Sequence, residues 1–388
     1  MPDLAPPLAP PDGALARLPE EWSALLASWG EPSYRGAQVF SWIHRRGVTD
    51  PDAMTNLPKA LRARLADDGL GPAAEVAVAR DAADGTRKLL LRLHDGRSVE
   101  SVLIPMTSTA PEDLYAPVDP DGDEDDREGS SPVTQCISSQ VGCAMGCVFC
   151  ASGLAGLKRH MTASEIVGQV LLGRDRVGPR QRLRNVVLMG MGEPLHNYDA
   201  VARALTLMFH RDGLDLSRRR VTLSTSGLVP QIDRLGRDFA GQVQLAISLH
   251  VPDDERRSEL MPINRKHPLG ELMDALRRYP LPRRRRITIE YTLVKGFNEA
   301  DRDADLLAGL LRGLRVKVNL IPLNRVPGTP LEPPSWPVVE RFQSRLRGRR
   351  IPTFVRRRRG DDIAAACGQL ALAGEARKVH VPLPTLRG

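Results

Sequence analysis

The sequence has few of the features that mark membrane-spanning, exported or disulfide-bonded proteins. None of its apolar runs approaches the roughly 18 consecutive residues that a membrane-spanning helix needs. The opening MPDLAPPLAPPDG lacks the charged and apolar regions of a signal peptide. Only five of the 388 residues are cysteines. These absences predict a cytoplasmic protein that contacts no membrane and keeps its thiols reduced.

Positive charge is in excess but unevenly distributed. The net charge is +8, yet residues 111–128 hold nine acidic residues and one arginine, so the rest of the chain carries +16. That excess favours a polyanionic partner such as nucleic acid, although an arginine-rich solvated surface has the same composition. The arginine runs at 218–220, 283–286 and 356–359 are the candidate phosphate contacts.

Hydrophobic periodicity divides the chain into segments of different character. In chain order we predict a disordered Pro/Ala-rich tail at 1–13, a helical accessory domain at 14–72, a small β linker at 73–105, a flexible acidic insert at 106–135, a catalytic core at 136–366 and a C-terminal segment at 367–388.

The predicted core alternates short apolar strands with helices, which indicates an α/β fold with a parallel sheet. Five or six such units are too few for a closed eight-stranded barrel, so we expect an open, partial (βα)6 barrel.

Three cysteines lie within eight residues in the motif CAMGCVFC. Cys143, Cys147 and Cys150 could bind three irons of a [4Fe–4S] cluster and leave the fourth iron open for a small ligand. A structural zinc site is the alternative, but zinc usually takes four ligands and His160 is ten residues away. The motif therefore predicts a radical S-adenosylmethionine (SAM) enzyme with these three residues as metal ligands.

Polar residues follow several predicted strands, where parallel α/β folds gather their ligand-binding groups. They are GMGEP at 190–194, STSG at 224–227, SLH at 248–250 and Asn324. Serines at strand ends are often only turn formers. Their shared position after successive strands nevertheless predicts a nucleotide-like ligand.

Long motifs resemble those of the RlmN-type family of dual-specificity rRNA and tRNA adenine-C2 methyltransferases. The motifs include CISSQVGCAMGCVFCASG, LMGMGEPLHN, RRRVTLSTSGLVPQIDRLG, AISLHVPDDERR and RRRRGDDIAAACGQL, and the resemblance covers about residues 15–370. It implies a radical-SAM barrel with an RNA-binding helical accessory domain. It also implies methylation of C2 of an adenosine in the peptidyl transferase centre of 23S rRNA and of the adenosine 3′ of the tRNA anticodon.

The resemblance further implies roles for individual residues. Cys367 matches the methyl-carrying cysteine, Cys136 the resolving thiol and Glu100 the proton acceptor. The matched SAM contacts are Gly192, Glu193, Ser224, Ser248, Leu249, His250 and Asn324.

The family needs radical chemistry because the C2–H of adenine is neither acidic nor nucleophilic, so direct methyl transfer from SAM cannot methylate it. One SAM methylates Cys367, and a second SAM, bound at the open iron, supplies the radical that activates this methyl group. Cys136 then attacks the sulfur of Cys367 and releases the product through a transient disulfide. The resemblance thus implies two SAM per turnover and a reductant such as flavodoxin or ferredoxin, and we expect a monomer.

The nearest alternative is the related C8-methylating rRNA enzyme of the Cfr antibiotic-resistance type, which shares the cysteine set. GMGEPLHN and RGDDIAAACGQL favour the C2 family. An Fe–S scaffold protein and a radical enzyme acting on a small molecule fit Cys136, Cys367 and the basic excess less well. The thirty residues at 106–135 depart from the family, which usually has a short link there. This insert could be a mimic that competes with RNA, but we favour a solubilising loop.

Overall fold

The computed structural model describes residues 12–106, 130–327, 329–356 and 359–370. The predictions of a disordered tail and a flexible acidic insert therefore fall mostly outside the described residues, as does most of the C-terminal segment. Within the described part, no helix is long and apolar enough to cross a membrane.

Ten of the twelve strands in the described part of the chain form one sheet, in which they lie side by side in chain order. The strands are β1 (Ala74–Asp81), β2 (Arg87–Leu93), β3 (Ser98–Pro105), β4 (Ser131–Cys136), β5 (Gln140–Val141), β6 (Arg159–His160), β7 (Gln181–Leu188), β8 (Val221–Thr225), β9 (Gln244–Ser248), β10 (Ile287–Leu293), β11 (Val316–Pro322) and β12 (Thr353–Val355). β5 and β6 pair separately as a short hairpin.

Eleven α-helices are described, and most of them connect consecutive strands. They are α1 (Pro19–Ser28), α2 (Tyr34–Phe40), α3 (Lys59–Asp67), α4 (Ala151–Ala155), α5 (Ala163–Arg174), α6 (Tyr198–Phe209), α7 (Val229–Asp238), α8 (Asp254–Leu260), α9 (Leu269–Arg278), α10 (Asp301–Leu310) and α11 (Trp336–Gly348).

The parallel part of the sheet confirms the predicted partial barrel. β4, β7, β8, β9, β10 and β11 are parallel, and the short β12 adds a seventh parallel strand. Every residue of β10 is buried, as expected for a strand in the middle of a covered sheet. The carboxyl ends of these strands share one edge, where we expect the ligand-binding groups.

The strands at 73–105 were predicted as a small β linker between the accessory domain and the core, but they belong to the sheet of the core. β1, β2 and β3 extend the same sheet in antiparallel order, and β3 pairs with β4, the first barrel strand. Val99, Val102 and Leu103 are buried against the barrel core. Hairpin turns mark strands reliably but do not show which sheet the strands join.

The predicted boundary between the acidic insert and the core is also wrong. Residues 131–135, assigned to the insert, belong to β4, so the barrel begins before Cys136. Pro105 is paired with Val133, and the backbone N–H of Met106 donates to Pro132 at 2.8 Å. The chain therefore leaves and rejoins the sheet at neighbouring positions. The acidic composition beside this short strand hid its pattern.

The N-terminal helices form the predicted accessory domain around Trp22, Leu26, Phe40 and Leu61. Its core continues into the outer faces of α5 and α6. Two arginines of the barrel helices bind its backbone: Arg203 donates to Ala16 at 3.0 Å and Arg174 to His44 at 3.0 Å. The domain is thus docked on two barrel helices rather than tethered by a linker.

Helix α5 begins with a capping box, which explains its sharp start. The hydroxyl of Thr162 accepts from the backbone of Glu165 at 3.1 Å, and the Glu165 carboxylate accepts from the backbone of Thr162 at 2.9 Å. The Asp12 carboxylate also accepts from Ala163 at 2.8 Å. Asp12 was predicted to lie in the disordered tail, but this cap gives it a fixed place.

Candidate active site at the carboxyl edge of the barrel

The cysteine motif lies in a loop after β4, between β5 and α4. The loop turns through Gly142 and Gly146, whose φ angles are +78° and +66°. A Cβ on Gly142 would lie 1.9 Å from the carbonyl oxygen of Gly156, so no side chain fits there. This tight path brings the three cysteines of the motif onto one short loop.

The thiols of this loop influence one another. Burial raises the pKa of Cys143 to about 12, and burial together with the charges of Cys150 and Cys143 raises that of Cys147 well above its usual range. Burial also raises the pKa of Cys150. Such thiols ionise readily only beside a cation, which suits metal ligands. Among the described residues, however, no three metal-binding side chains form a preformed site, so the ligand assignment stays a prediction.

Gly192 and Glu193 follow β7, as predicted. The φ of Gly192 is +104°, and a Cβ there would lie 2.6 Å from the side chain of Gln140. The Gln140 amide oxygen accepts from the backbone of Glu193 at 2.8 Å, and its amide nitrogen lies 3.0 Å from Nδ1 of His160 and 3.1 Å from Nδ1 of His196. Gln140 therefore holds the Gly-Glu turn.

The Glu193 carboxylate is buried, which raises its pKa. It accepts from the backbone and the hydroxyl of Ser226 at 2.7 and 2.8 Å, and from the backbone of Leu195 at 3.0 Å. Of the predicted motif STSG, only Ser224, which lies half-buried on β8, was assigned a contact with SAM, whereas Ser226 is the residue that binds Glu193. Its position after a strand is visible in the sequence, but its contact with Glu193, 33 residues away, is not.

Arg257 was also missed, although it organises this edge of the sheet. It is fully buried on α8 and donates to the carbonyl oxygens of Ser226 at 2.8 Å, Ser248 at 3.0 Å and Leu249 at 3.0 Å. These carbonyls follow or end two neighbouring strands, β8 and β9. One cation thus binds the two strand ends together. Its surroundings in sequence, DERRSEL, suggest a solvated helix and hide this role.

Ser248, Leu249 and His250 end and follow β9, as predicted. His250 has a positive φ of 58°, and its Nδ1 accepts from the backbone of Thr292 at 2.9 Å. Its ring meets that of Phe149 edge-on, with centroids 4.9 Å apart, which places it beside the cysteine loop. Burial lowers the pKa of His250 to about 3, so the imidazole is neutral.

Asn324 follows β11 and contacts the predicted methyl carrier. Its amide nitrogen donates to the backbone oxygen of Cys367 at 3.0 Å. The segment carrying Cys367 also docks on α4: Ala151 donates to Gly368 at 2.8 Å and Ser152 to Leu370 at 2.7 Å. These bonds place Cys367 next to the loop that ends at Cys150.

Cys136 and Cys367, far apart in sequence, lie close together in space. Burial, and after it the charge of Cys367, raise the pKa of Cys136 to about 12. Arg356 has the opposite effect on Cys136, and its own pKa is raised chiefly by the charge of Cys367. Arg356 was predicted as a phosphate contact in the run 356–359. The structure instead places its charge beside the two thiols and the buried Glu290.

Glu100 lies on β3, the strand that pairs with β4, although the acidic insert separates the two strands in sequence. Val102 is paired with Cys136, which puts Glu100 two residues along the neighbouring strand. Its backbone oxygen accepts from the hydroxyl of Ser138 at 2.7 Å, and its buried carboxylate lies 3.0 Å from the ammonium of Lys88. The three residues predicted to act on RNA therefore lie on adjoining elements.

Known proteins resemble this chain over most of its length. Sequence models of two families match: the Radical SAM superfamily over residues 137–307, and the ribosomal RNA large subunit methyltransferase N-terminal domain over residues 19–69. A dual-specificity RNA methyltransferase RlmN of Sorangium cellulosum is 60% identical, with 94% of this chain and 97% of that protein covered. Its counterpart in Anaeromyxobacter dehalogenans is 45% identical, covering 93% and 92%. The chain belongs to the RlmN family.

A solved structure extends the RlmN-family match to three dimensions. The crystal structure of a radical SAM methyltransferase from Sphaerobacter thermophilus has a TM-score of 0.82 and 44% identity, covering 94% of this chain and 99% of that one. The resemblance read from the motifs is confirmed, and the C8-type alternative is not favoured. Membership of the radical SAM superfamily brings two cofactors, SAM and a [4Fe–4S] cluster.

Proposed function

We propose that this RlmN-family protein methylates C2 of an adenosine in the peptidyl transferase centre of 23S rRNA and of the adenosine 3′ of the tRNA anticodon, through a methyl group carried on Cys367. One observation carries the proposal. The C-terminal segment returns to the carboxyl edge of the barrel and places Cys367 beside both Cys136 and the cysteine loop. A two-thiol site next to a cluster loop suits methyl transfer followed by disulfide release.

The cofactors would be held by the residues already described. Cys143, Cys147 and Cys150 would bind the cluster, and the strand-end turns with Gly192, Glu193, Ser224, Ser248, Leu249, His250 and Asn324 would bind SAM. Bound there, SAM supplies a methyl group in one use and radical chemistry in a second, which makes two SAM per turnover. The side-chain oxygen of Asn324 is buried and has no hydrogen-bond partner within the described part of the chain, which suits contact with a ligand.

The protein's own residues would then act on the RNA adduct in two ways. Glu100 would take the C2 proton, and Cys136 would attack the sulfur of Cys367. A thiol attacks as its thiolate, so the raised pKa of Cys136 opposes this step. The positive charge of Arg356 favours the thiolate. We therefore assign Arg356 to activating Cys136 rather than to binding phosphate.

Two arginine runs support an RNA substrate. Arg218–Arg220 directly precede β8, and Arg283–Arg286 directly precede β10. Arg218 donates to the side chain of Gln242 at 3.1 Å, and Arg285 donates to its backbone. The two runs, which we call the basic edge, thus meet at the amino ends of three neighbouring strands. The basic edge is opposite the carboxyl edge that carries the cysteines. It would therefore bind phosphates of the RNA away from the target adenosine, and binding through it would fall steeply with salt.

We further propose a monomeric, cytoplasmic enzyme that receives electrons from a flavodoxin- or ferredoxin-like protein. The whole function is tested by incubating the anaerobically reconstituted enzyme with SAM, a reductant and either an rRNA fragment or tRNA. Mass spectrometry of the nucleosides should show 2-methyladenosine with the wild type and none with Cys367→Ala. Formation of 8-methyladenosine would instead support the Cfr-type alternative.

A further inference from the structure

Lys88 of β2 joins two parts of the candidate site. Its ammonium lies 3.0 Å from Oε1 of Glu100 and donates to the carbonyl oxygen of Ala364 at 3.1 Å. The Lys88 and Glu100 side chains are only 11% and 9% exposed. A mostly buried ion pair is not a typical surface salt bridge, because solvent screens it little.

The sheet register sets the first of these contacts. Lys88 is paired with Val102, and Glu100 is paired with Leu90. Lys88 and Glu100 are therefore diagonal neighbours on two antiparallel strands, a spacing that long side chains can bridge. The position of the proton acceptor is thus fixed by its own strand and by the cation beside it.

The second contact belongs to a larger junction between the β1–β2 hairpin and the segment that leads to Cys367. The backbone of Ala83 donates to Asp362 at 3.1 Å, and the backbone of Gly360 donates to Asp84 at 3.1 Å. Lys88 adds the bond to Ala364, which has a positive φ of 50° and lies three residues before Cys367. The hairpin therefore serves as a platform for the carrier segment.

We propose that Lys88 is a positioning residue, which holds the Glu100 carboxylate in register with the Cys367 segment for removal of the C2 proton. The proposal rests on the proposed function, because it concerns one step of that reaction. Lys88 is bonded both to the proton acceptor and to the segment carrying the methyl group. A shift between these two parts would misalign the base and the bound adenine.

The ammonium of Lys88 would contribute to removal of the C2 proton. The C2 proton passes to a Glu100 oxygen, the electron pair of the C–H bond stays in the ring system, and Glu100 becomes a neutral acid. Before this step the ammonium favours the ionised form that can accept a proton. Throughout, its bond to Ala364 keeps the cation in place. Misplacement of a catalytic group by about 1 Å can cost 10²-fold in rate.

The test compares Lys88→Gln, which removes the cation, with Lys88→Arg, which keeps one. Arg92→Met removes a positive charge from an exposed position on the same face of β2, four residues away, and is the matched control. Each reconstituted variant is assayed for iron content, for methyl transfer to Cys367, for the covalent RNA–protein adduct on a denaturing gel and for 2-methyladenosine.

Lys88→Gln should keep its cluster and its methyl-Cys367 but retain the RNA adduct and form product at least tenfold more slowly. Lys88→Arg should release most of the adduct, and Arg92→Met should match the wild type.

Product formation by Lys88→Gln at the wild-type rate overturns the proposal, as does loss of Cys367 methylation in step with product. If thermal unfolding shows Lys88→Gln to be misfolded, Lys88→Arg decides alone: adduct retention in that variant overturns the proposal. A wild type that makes no 2-methyladenosine refutes the proposed function instead.

Discussion

Asn324 donates from its side-chain amide to the backbone carbonyl oxygen of Cys367 at 3.0 Å. A residue expected to bind SAM thus also holds the residue expected to receive its methyl group. Removing the side-chain amide should therefore weaken SAM binding and also the positioning of Cys367.

We therefore expect Asn324→Ala to slow methylation of Cys367 by about tenfold, which corresponds to roughly 1.4 kcal/mol, the size of one hydrogen bond. Transfer of labelled methyl from SAM to the protein measures the effect. Asn56→Ala, an exposed asparagine of the accessory domain, is the control. Equal rates in the two variants would remove Asn324 from the SAM site.

The two catalytic cysteines should fail at different stages when they are replaced. Cys367→Ala has no thiolate to methylate, so neither product nor adduct should form. Cys136→Ala can still carry the methyl group to RNA but cannot attack the sulfur of Cys367. Of these two variants, only Cys136→Ala should therefore accumulate the covalent adduct, visible as a slow band on a denaturing gel. An adduct in Cys367→Ala would reverse the assigned roles.

Gly192→Ala tests the turn that presents Glu193. The added Cβ would lie 2.6 Å from the Gln140 side chain, at a φ of +104° that residues with a side chain rarely adopt. Strain of this kind costs on the order of 1–3 kcal/mol. Thermal unfolding should show the loss, together with weaker SAM binding. Gly270→Ala, where nothing lies within 4 Å of the new Cβ, should neither destabilise the protein nor weaken SAM binding.

Arg257→Met should be among the most destabilising single substitutions in the barrel. It would leave the carbonyl oxygens of Ser226, Ser248 and Leu249 without their donor. Breaking a buried charged network typically costs about 3–5 kcal/mol. Denaturant unfolding would measure the loss, with the exposed Arg265→Met as control. A loss below about 1 kcal/mol would mean that the two strand ends do not depend on this cation.

His44 predicts a pH dependence of stability. Burial lowers its pKa in the folded protein to about 3, against about 6.5 when unfolded. Between these values the unfolded state binds the additional proton. Stability is therefore fully present above pH 6.5 and falls as the pH decreases towards 3, by up to about 1.4 kcal/mol per pH unit. His44→Gln should flatten the decline between pH 6.5 and 4.5, and an unchanged slope would contradict the buried, neutral state.

The sequence predicted the elements of this fold better than their connections. Strand–helix alternation located the barrel strands, and polar residues after them located the candidate ligand edge, because local patterns carry both signals. Pairing of β3 with β4 depends on contacts across the acidic insert, which no local pattern contains. Lys88, Arg257 and Arg356 were missed or assigned elsewhere for a related reason. A charged residue is predicted from sequence to be exposed, because the carbonyl groups or thiols that surround it in the fold come from distant parts of the chain.

The hydrogen bond between Met106 and Pro132 closes the sheet at the point where residues 107–129 are inserted, so the length of that insert can vary. The two strands that carry Glu100 and Cys136 are already in register where the chain departs and where it returns. The entropy cost of closing a chain segment between two fixed points grows slowly with its length, by only about 0.6 kcal/mol for each doubling. The junction is therefore a permissive site. Lineages could lengthen, shorten or replace the intervening residues, and an engineer could insert a reporter domain there, without changing the spacing between the base and the resolving thiol.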